Sequence, residues 1–415
     1  MDPLSLAQKL LAAGPICDHC LGRRFAGLPG KLSNRERGAI LRMALGFGET
    51  LPEECWVCAG LFLRVPSWAE KAWELAREYE FKTFLFGVHL SPRLEATEEF
   101  LAERFPSPWA EPIRRHLNRA LGQAFEEILG KENRKATVDY ARPEVQFLVD
   151  IERDEVKLTV NPVVFYGRYR KLVRGIAQTL WTCPRCRGKG CENCGGTGKL
   201  AATSVEELVV PVFLEATGGI KGNLHGAGRE DADARMLGRG RPFLLSVEWP
   251  RRRNVDLTWV AEEVRRRSLG AVEILDLQPA TPELEERVKT GKFAKRYRAK
   301  VSFSVPVSEE DFRRAVAGLV GEIQQRTPAR VRERRADLVR RRRVFSAQGR
   351  LLSPTEGELV LTCEAGLYVK ELVSGDQGGT KPNLSELLGV SAQVTELDVL
   401  DILDDQNVVL DNAHE

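Results

Sequence analysis

Eight of the nine cysteines in this 415-residue chain stand in four Cys-x-x-Cys pairs: Cys17/Cys20, Cys55/Cys58, Cys183/Cys186 and Cys191/Cys194. That spacing lets each pair present two thiolates to one ion from a tight turn, so two pairs complete a four-thiolate tetrahedron. "CDHC" and "CWVC" flank a basic, helical segment around "KLSNRERGAILRMALGFG" and close an N-terminal module too small to build much core of its own. In "CPRCRGKGCENCGGTGK" the pairs are separated by only four residues, and the glycines supply the turns needed to fold both onto one ion. The pattern implies structural Zn²⁺, one ion or two according to whether the short-spaced set is filled. It also implies a reducing compartment rather than a disulfide framework. Cys363, alone in "LTCEAGLYV", reads as a small buried apolar residue.

A chain of this length is expected to form two or three domains. Hydrophobic residues make up 43% of it, enough for packed cores, and the formal charge of +3 conceals an asymmetry. Residues 395–415 hold seven Asp or Glu and no Lys or Arg, which leaves the remainder more basic than the total suggests. No window reaches the roughly eighteen apolar residues of a membrane span, and "MDPLSLAQKLL" lacks a secretion-signal profile. The expectation is a soluble, cytoplasmic protein.

Residues 68–90 and 98–130 read as amphipathic helices joined by Pro-containing breaks. "KATVDYARPEVQFLVDIERDEVKLTVNPVVFYGRYRKL" alternates with β-branched residues and predicts two or three strands, with a turn near Arg153 and Asp154. From Ser204 to about Leu403, strand-like runs and isolated helices alternate without a βαβ rhythm. "SVEELVVPVFLEATGG" and "SEEDFRRAVAGLVGEI" are the helices, the second opened by Ser308 and an acidic first turn. "PFLLSVEWP", "KRYRAKVSFSVPV" and "GELVLTCEAGLYVKELV" carry the strand-like runs. The pattern favours an α+β class with a mixed or antiparallel sheet.

Three charged stretches stand apart from any core. "GREDADARMLGRGRPF", 228–243, sets Asp231, Asp233 and four arginines among glycines; alone it reads as a solvated loop whose charges neutralise one another. Residues 326–343 hold nine arginines against two acids, either a solvated, salt-laced helix or a surface for phosphates. "GRYRKLVR", 167–174, mixes Tyr169, with Tyr166 just before it, among cations as phosphate contact and base stacking require, or forms an exposed strand end.

Read in order, three blocks resemble the pseudouridine synthases. Gly228 to Asp231 is similar to the Gly-Arg-x-Asp loop that carries the catalytic aspartate. Lys295-Arg296-Tyr297 is similar to a Lys-x-Tyr strand whose tyrosine stacks on the target base. Gly366-Leu367-Tyr368-Val369-Lys370 is similar to a Gly-x-Tyr-x-Arg/Lys strand that sets a basic residue beside the aspartate. "QRTPARVRERR" and "KELVSGDQGGTKPNLSELLG" extend the resemblance to the archaeal-type tRNA pseudouridine synthases of the Pus10 family. Upstream, "RPEVQFLVDIERDEVKLTVNPVVFYGRYRKLVRGIAQT" looks like that family's THUMP-type RNA-binding domain, and the first two cysteine pairs look like its zinc module. Ala234, where many members carry valine, is a small apolar exchange.

The resemblance implies an α+β chain in five parts. These are a zinc-binding module (1–65), a THUMP-like α/β RNA-binding domain (66–182), a four-cysteine knuckle and linker (183–203), a catalytic domain (204–405) and an acidic tail (406–415). The catalytic domain is expected to carry a mixed, largely antiparallel sheet flanked by helices. The implied activity is that of an isomerase converting uridines 54 and 55 in the T loop of tRNA to pseudouridine. Asp231 is then the nucleophile, Lys370 its ionic partner, Tyr297 the stacking ring and Tyr368 part of the pocket wall. Arg229, Arg332, Arg334 and Arg335 bind the RNA, and Asp233 is left to pair with an arginine. No cofactor is consumed, tRNA is the partner, and the chain acts as a monomer away from membranes. The alternative is a non-catalytic, zinc-containing RNA-binding protein, which needs none of Asp231, Tyr297 and Lys370. Other chemistries lack their residues: "GGTGKL" has Asn193 where a phosphate loop needs glycine, and no histidine is followed by x-Glu as a zinc deaminase requires.

Overall fold

The computed structural model describes residues 2–332 and 336–404, so Arg334, Arg335 and the tail 406–415 lie outside the described residues. The chain divides into two compact units, one running to Pro162 and including Trp249–Arg253, the other formed by the rest from Val163 onward.

The first unit is built on a four-stranded sheet of β1 (Thr83–His89), β2 (Thr137–Val138), β3 (Val145–Asp150) and β4 (Glu155–Val160), in the order β2-β1-β3-β4. β1 runs parallel to β2 and β3, while β3 and β4 form an antiparallel hairpin that turns through Asp154 at φ 56°. Period-two alternation buries Phe84, Phe86 and Val88 of β1 with Val145, Phe147 and Val149 of β3. Phe125, from the helix Ile113–Lys131, packs on three of these rings at centroid distances of 5.0 to 5.5 Å. The span 68–90 is therefore not one helix: Val65–Ala76 is helical, and "TFLFGVH" is a strand because its apolar residues recur every second position. Leu6, Leu21 and Phe25 share one core with Trp68, Phe84 and Phe147, so the cysteine-bearing N-terminal segment and the sheet are built as a single body across residue 65.

The second unit carries β5 (Val163–Lys171), the short parallel pair β6 (Ile176–Ala177) and β7 (Thr203–Ser204), then β8 (Lys221–Gly226), β9 (Ala234–Glu248) and β10 (Val272–Pro279). It continues with β11 (Ala294–Phe303), β12 (Gly321–Arg326), β13 (Val339–Ser353), β14 (Glu356–Cys363), β15 (Thr380–Lys381) and β16 (Ala392–Leu403). The large sheet is ordered β10-β5-β9-β16-β11-β14-β13-β12-β15, with β8 also on β9. Among the described residues its only parallel pair is β9 with β16. The sheet is thus mixed and largely antiparallel. Ser204 and Ser308 cap the helices Val205–Thr217 and Glu309–Ala317 by accepting from the backbone N–H of Glu207 and Asp311. Those helices cover two separate cores, and Tyr297 on β11 touches both.

Sequence reasoning groups 163–182 with the THUMP-like segment, yet β5 lies inside this second sheet, between β9 and β10. Its Phe165, Tyr166 and Tyr169 are buried. Arg168 is buried too, donating to the carbonyls of Arg239 and Gly240 and to Asp404 at 2.6 to 2.9 Å. The aromatic and cationic mix of 167–174 is therefore core and ion-pair material rather than a surface for stacked bases. No helix among the described residues is long and apolar enough to cross a membrane.

Candidate active site

The loop 227–233 joins β8 to β9 and is held from beneath. Gly228 turns at φ +82°, where a Cβ would meet the Arg241 guanidinium at 3.1 Å, so both conformation and space require glycine there. Glu230 points inward: its side chain is 1% exposed and accepts from the Tyr169 hydroxyl at 2.9 Å and from Arg241 Nε at 2.8 Å. An unpaired carboxylate in that position would cost several kcal/mol, which is why a cation and a hydroxyl converge on it. Gln178 Nε2 donates to the carbonyl of Gly228 at 2.9 Å, and Lys171 Nζ donates to the carbonyl of Asp231 at 3.1 Å.

With Glu230 anchored, the next side chain faces the other way. Asp231 is 40% exposed and opens into a cleft of about 760 Å³ that Tyr297, Tyr368, Lys370 and Arg229 also line. Lys370 Nζ lies 3.3 Å from Asp231 Oδ2 and 2.7 Å from Asp233 Oδ2. Asp233 thus pairs with Lys370, not with an arginine as expected. Burial opposes its charge, but the ammonium outweighs that and holds the Asp233 carboxyl below its ordinary range. The segment expected as a strand through Lys370 is not one: β14 stops at Cys363, Gly366 turns at φ +85°, and Lys370 sits in the first turn of the helix Val369–Ser374. Tyr368 precedes that helix, its N–H donating to Gln325 Oε1 at 2.9 Å and its carbonyl accepting from Gln325 Nε2 at 3.0 Å.

Two residues at the site escape sequence reasoning. Arg330, in the turn Ala329–Val331, approaches Asp231 Oδ2 with Nη1 at 3.1 Å and donates through Nε to Glu371 Oε1 at 2.7 Å. Glu371 is 6% exposed at its side chain and fixes the guanidinium so that one edge faces Asp231. Arg330 is one of nine arginines in its run, and nothing in the spacing separates it from the others. Glu371 follows Lys370 directly, and only the helical turn sends the two side chains to different partners.

Burial pushes the Tyr297 phenol well above its ordinary value, so the ring is neutral across the working range. Arg229 is exposed, its guanidinium 5.6 Å from the centre of the Trp181 ring at the cleft wall. Arg332 stands outside this cluster, 44% exposed and 3.9 Å from Asp337, which Arg326 holds at 2.6 Å.

Both cysteine sets converge. The Sγ atoms of Cys17, Cys20, Cys55 and Cys58 lie within 4.8 Å of one another, as do those of Cys183, Cys186, Cys191 and Cys194. Close pairs such as Cys17 with Cys58 at 3.6 Å and Cys183 with Cys191 at 3.9 Å match the edge of a thiolate tetrahedron around Zn²⁺, about 3.8 Å for bonds of about 2.3 Å. Either set could hold one metal ion.

The family model described as Pus10, C-terminal, matches residues 164–403, and that of the archaeal Pus10 THUMP domain matches 68–150. The chain belongs to the Pus10 family of tRNA pseudouridine synthases. The tRNA pseudouridine synthase Pus10 of Halorubrum lacusprofundi is 42% identical over 96% of this chain and 96% of its own length. Its namesake from Methanothrix thermoacetophila is 40% identical over 97% and 94%, and that from Pyrococcus furiosus 38% identical over 97% and 98%. A chain of a Cbf5-Nop10-Gar1 complex aligns over 48% of this chain and 44% of that one at 18% identity and a TM-score of 0.30, which adds nothing to the assignment. The C-terminal Pus10 match begins one residue into β5, in line with that strand's place in the second unit.

Proposed function

We propose that this chain isomerises uridines 54 and 55 in the T loop of tRNA to pseudouridine, with Asp231 as the nucleophile. The observation that carries the reading is the division of labour in one loop: Glu230 is buried as an anchor while Asp231 is turned into a cleft with Lys370 and Arg330 beside it. Two cations at that range fix the direction of the carboxylate.

A stacked uracil must leave its loop to reach such a cleft. Tyr297, neutral and set between two cores, supplies a rigid ring for it, and Arg229 with Trp181 lines the way in. Asp231 attacks the bound nucleoside or assists cleavage through the sugar. The N1–C1′ bond breaks and a C5–C1′ bond forms, while C5 loses a proton and N1 gains one. Nothing is oxidised or reduced, so no cofactor is consumed. The cysteine sets would each hold Zn²⁺ through four thiolates, a closed shell that stiffens the fold and leaves no open position for substrate. Arg332, together with Arg334 and Arg335 outside the described residues, binds the tRNA backbone.

A site-resolved pseudouridine map of unmodified tRNA incubated with the purified protein tests the reading. New pseudouridine at 54 and 55 is expected; none would leave a tRNA-binding protein without this chemistry, and product elsewhere would move the substrate out of the T loop.

A further inference from the structure

We propose that Lys295 is a further catalytic residue, whose ammonium in the cleft wall stabilises the negative charge that uracil carries once its bond to the sugar has broken. This rests on the function proposed above. Lys295 is 8% exposed and lines the same cleft as Asp231. It stands two residues before Tyr297 on β11, so both side chains leave the strand on one face. Its Nζ donates to the carbonyl of Phe293 at 3.2 Å, and no carboxylate lies within ion-pair range among the described residues.

A second buried lysine shows what is missing. Lys171 has the carboxylate of Glu230 at 3.8 Å and donates to the carbonyls of Ile176, Asp231 and Ala232. The groups around Lys295 offer no such compensation. Arg241 on β9 repels it, Cys363 pairs opposite it on β14, and Glu230 is already spent on Arg241 and Tyr169. Tyr297 is neutral, and Asp231 is engaged by Lys370 and Arg330. A buried cation without an anion is costly and persists where an anion is to arrive. When N1–C1′ breaks, the bonding pair stays on the ring and its charge spreads over N1, O2 and O4. Lys295 donates a hydrogen bond to a ring carbonyl at that stage and keeps its own proton. C5 then bonds C1′, its hydrogen leaves as a proton, and N1 takes one up.

Burial first, and then Arg241, lower the Lys295 pKa to about 8, so the stabilising ammonium is present below that pH and lost above it. The experiment is single-turnover kinetics on unmodified tRNA across pH with the wild type, K295M and K295R, alongside melting temperature and tRNA affinity. The wild type is read first, because absence of product there overturns the proposed function itself. With an active wild type, K295M is expected to lose about 100-fold in rate at saturating tRNA, the scale of removing one donor to a developing anion. Its melting temperature and tRNA affinity should be unchanged. K295R is expected to carry the alkaline fall to higher pH, because guanidinium keeps its proton, or to bind tRNA without turning over because its fork misplaces the donor. K295M turning over within about threefold of the wild type overturns the proposal. So does K295R with the wild-type alkaline limb; if K295M does not fold, K295R decides, since a folded K295R that neither loses turnover nor moves that limb overturns the proposal.

Discussion

At the scale of single residues, the loop 228–233 holds three carboxylates with three fates. Glu230 is an internal anchor, Asp231 faces the cleft, and Asp233 shares Lys370 from the exposed side. Asp231→Asn keeps the shape and loses the proposed nucleophile, so it should lower product formation by roughly 1000-fold or more, as removal of a reacting group does, with tRNA affinity retained. Asp233→Asn should keep activity within about tenfold, because Arg330 still faces Asp231 and Lys370 remains within reach. Exchange of those two phenotypes in a single-turnover assay would reassign the nucleophile. Arg330→Ala should lower kcat with little change in KM, by about 10- to 100-fold, since it removes a group that orients Asp231 rather than one that grips the tRNA body. Arg330→Lys should fall between, because a single ammonium cannot face Asp231 and Glu371 through two edges. A rise in KM with unchanged kcat would identify Arg330 as an RNA contact instead.

At the scale of elements, β16 explains the acidic bias of 395–404. Asp398 is 4% exposed at its side chain and accepts from Arg235 at 2.8 Å, from Arg298 at 2.9 Å and from Arg174 at 2.8 Å. Those arginines come from β9, from β11 and from the segment after β5, and Arg174 also donates to the carbonyl of Asp233 at 2.9 Å. One buried carboxylate therefore ties the parallel β9–β16 junction to the loop 227–233. Burial opposes its charge, but the arginines prevail and lower the Asp398 pKa from 3.8 to about 2. A depressed carboxyl pKa stabilises the fold above its unfolded value and loses that contribution as pH falls through the folded one. The Asp398 contribution should therefore be complete above pH 3.8 and fade toward pH 2. Asp398→Asn should cost about 3 kcal/mol near neutral pH by leaving three arginines without their carboxylate, and should flatten acid unfolding in that window. Denaturant titrations of both proteins at pH 7 and pH 3 measure it; equal stabilities at both values would show the rosette to be neutral.

At the scale of the whole molecule, metal and RNA both have checkable stoichiometry. Two four-thiolate sets predict two Zn²⁺ per chain in native mass spectrometry, and chelation should lower the melting temperature before it changes the chemistry at Asp231. Fewer than one ion in freshly purified protein would contradict the zinc assignment for both sets. Affinity for tRNA should fall steeply with salt, since each neutralised phosphate releases counterion. Joint replacement of Arg332, Arg334 and Arg335 by alanine should flatten that slope by about 2 to 3 units in log–log form while saturated turnover holds. An unchanged slope would remove those three arginines from the tRNA interface.

Chemical identity in this chain is local, and that is why so much of it is legible in one dimension. Four Cys-x-x-Cys pairs announce tetrahedra because ligand spacing within a turn is a property of adjacent residues. Gly228-Arg229-Glu230-Asp231, Lys295-Arg296-Tyr297 and the Gly366 to Lys370 block mark the site because each keeps its reactive side chain at a fixed offset from a turn or a strand. Which core a segment joins is not local. β5 reads as a strand like β3 and β4, and only the partners available across 60 or more residues of chain, Tyr169 to Glu230 and Arg241 to β5, draw it into the second sheet. The same holds for Arg330 and Glu371: a run of nine arginines carries charge in its sequence, but which guanidinium meets Asp231 follows from where the turn after β12 comes to rest against the helix Val369–Ser374. Pairing across a sheet and the burial it enforces select among residues that composition leaves equivalent: motif spacing names the kinds of side chain at the candidate site, and packing names the individual ones.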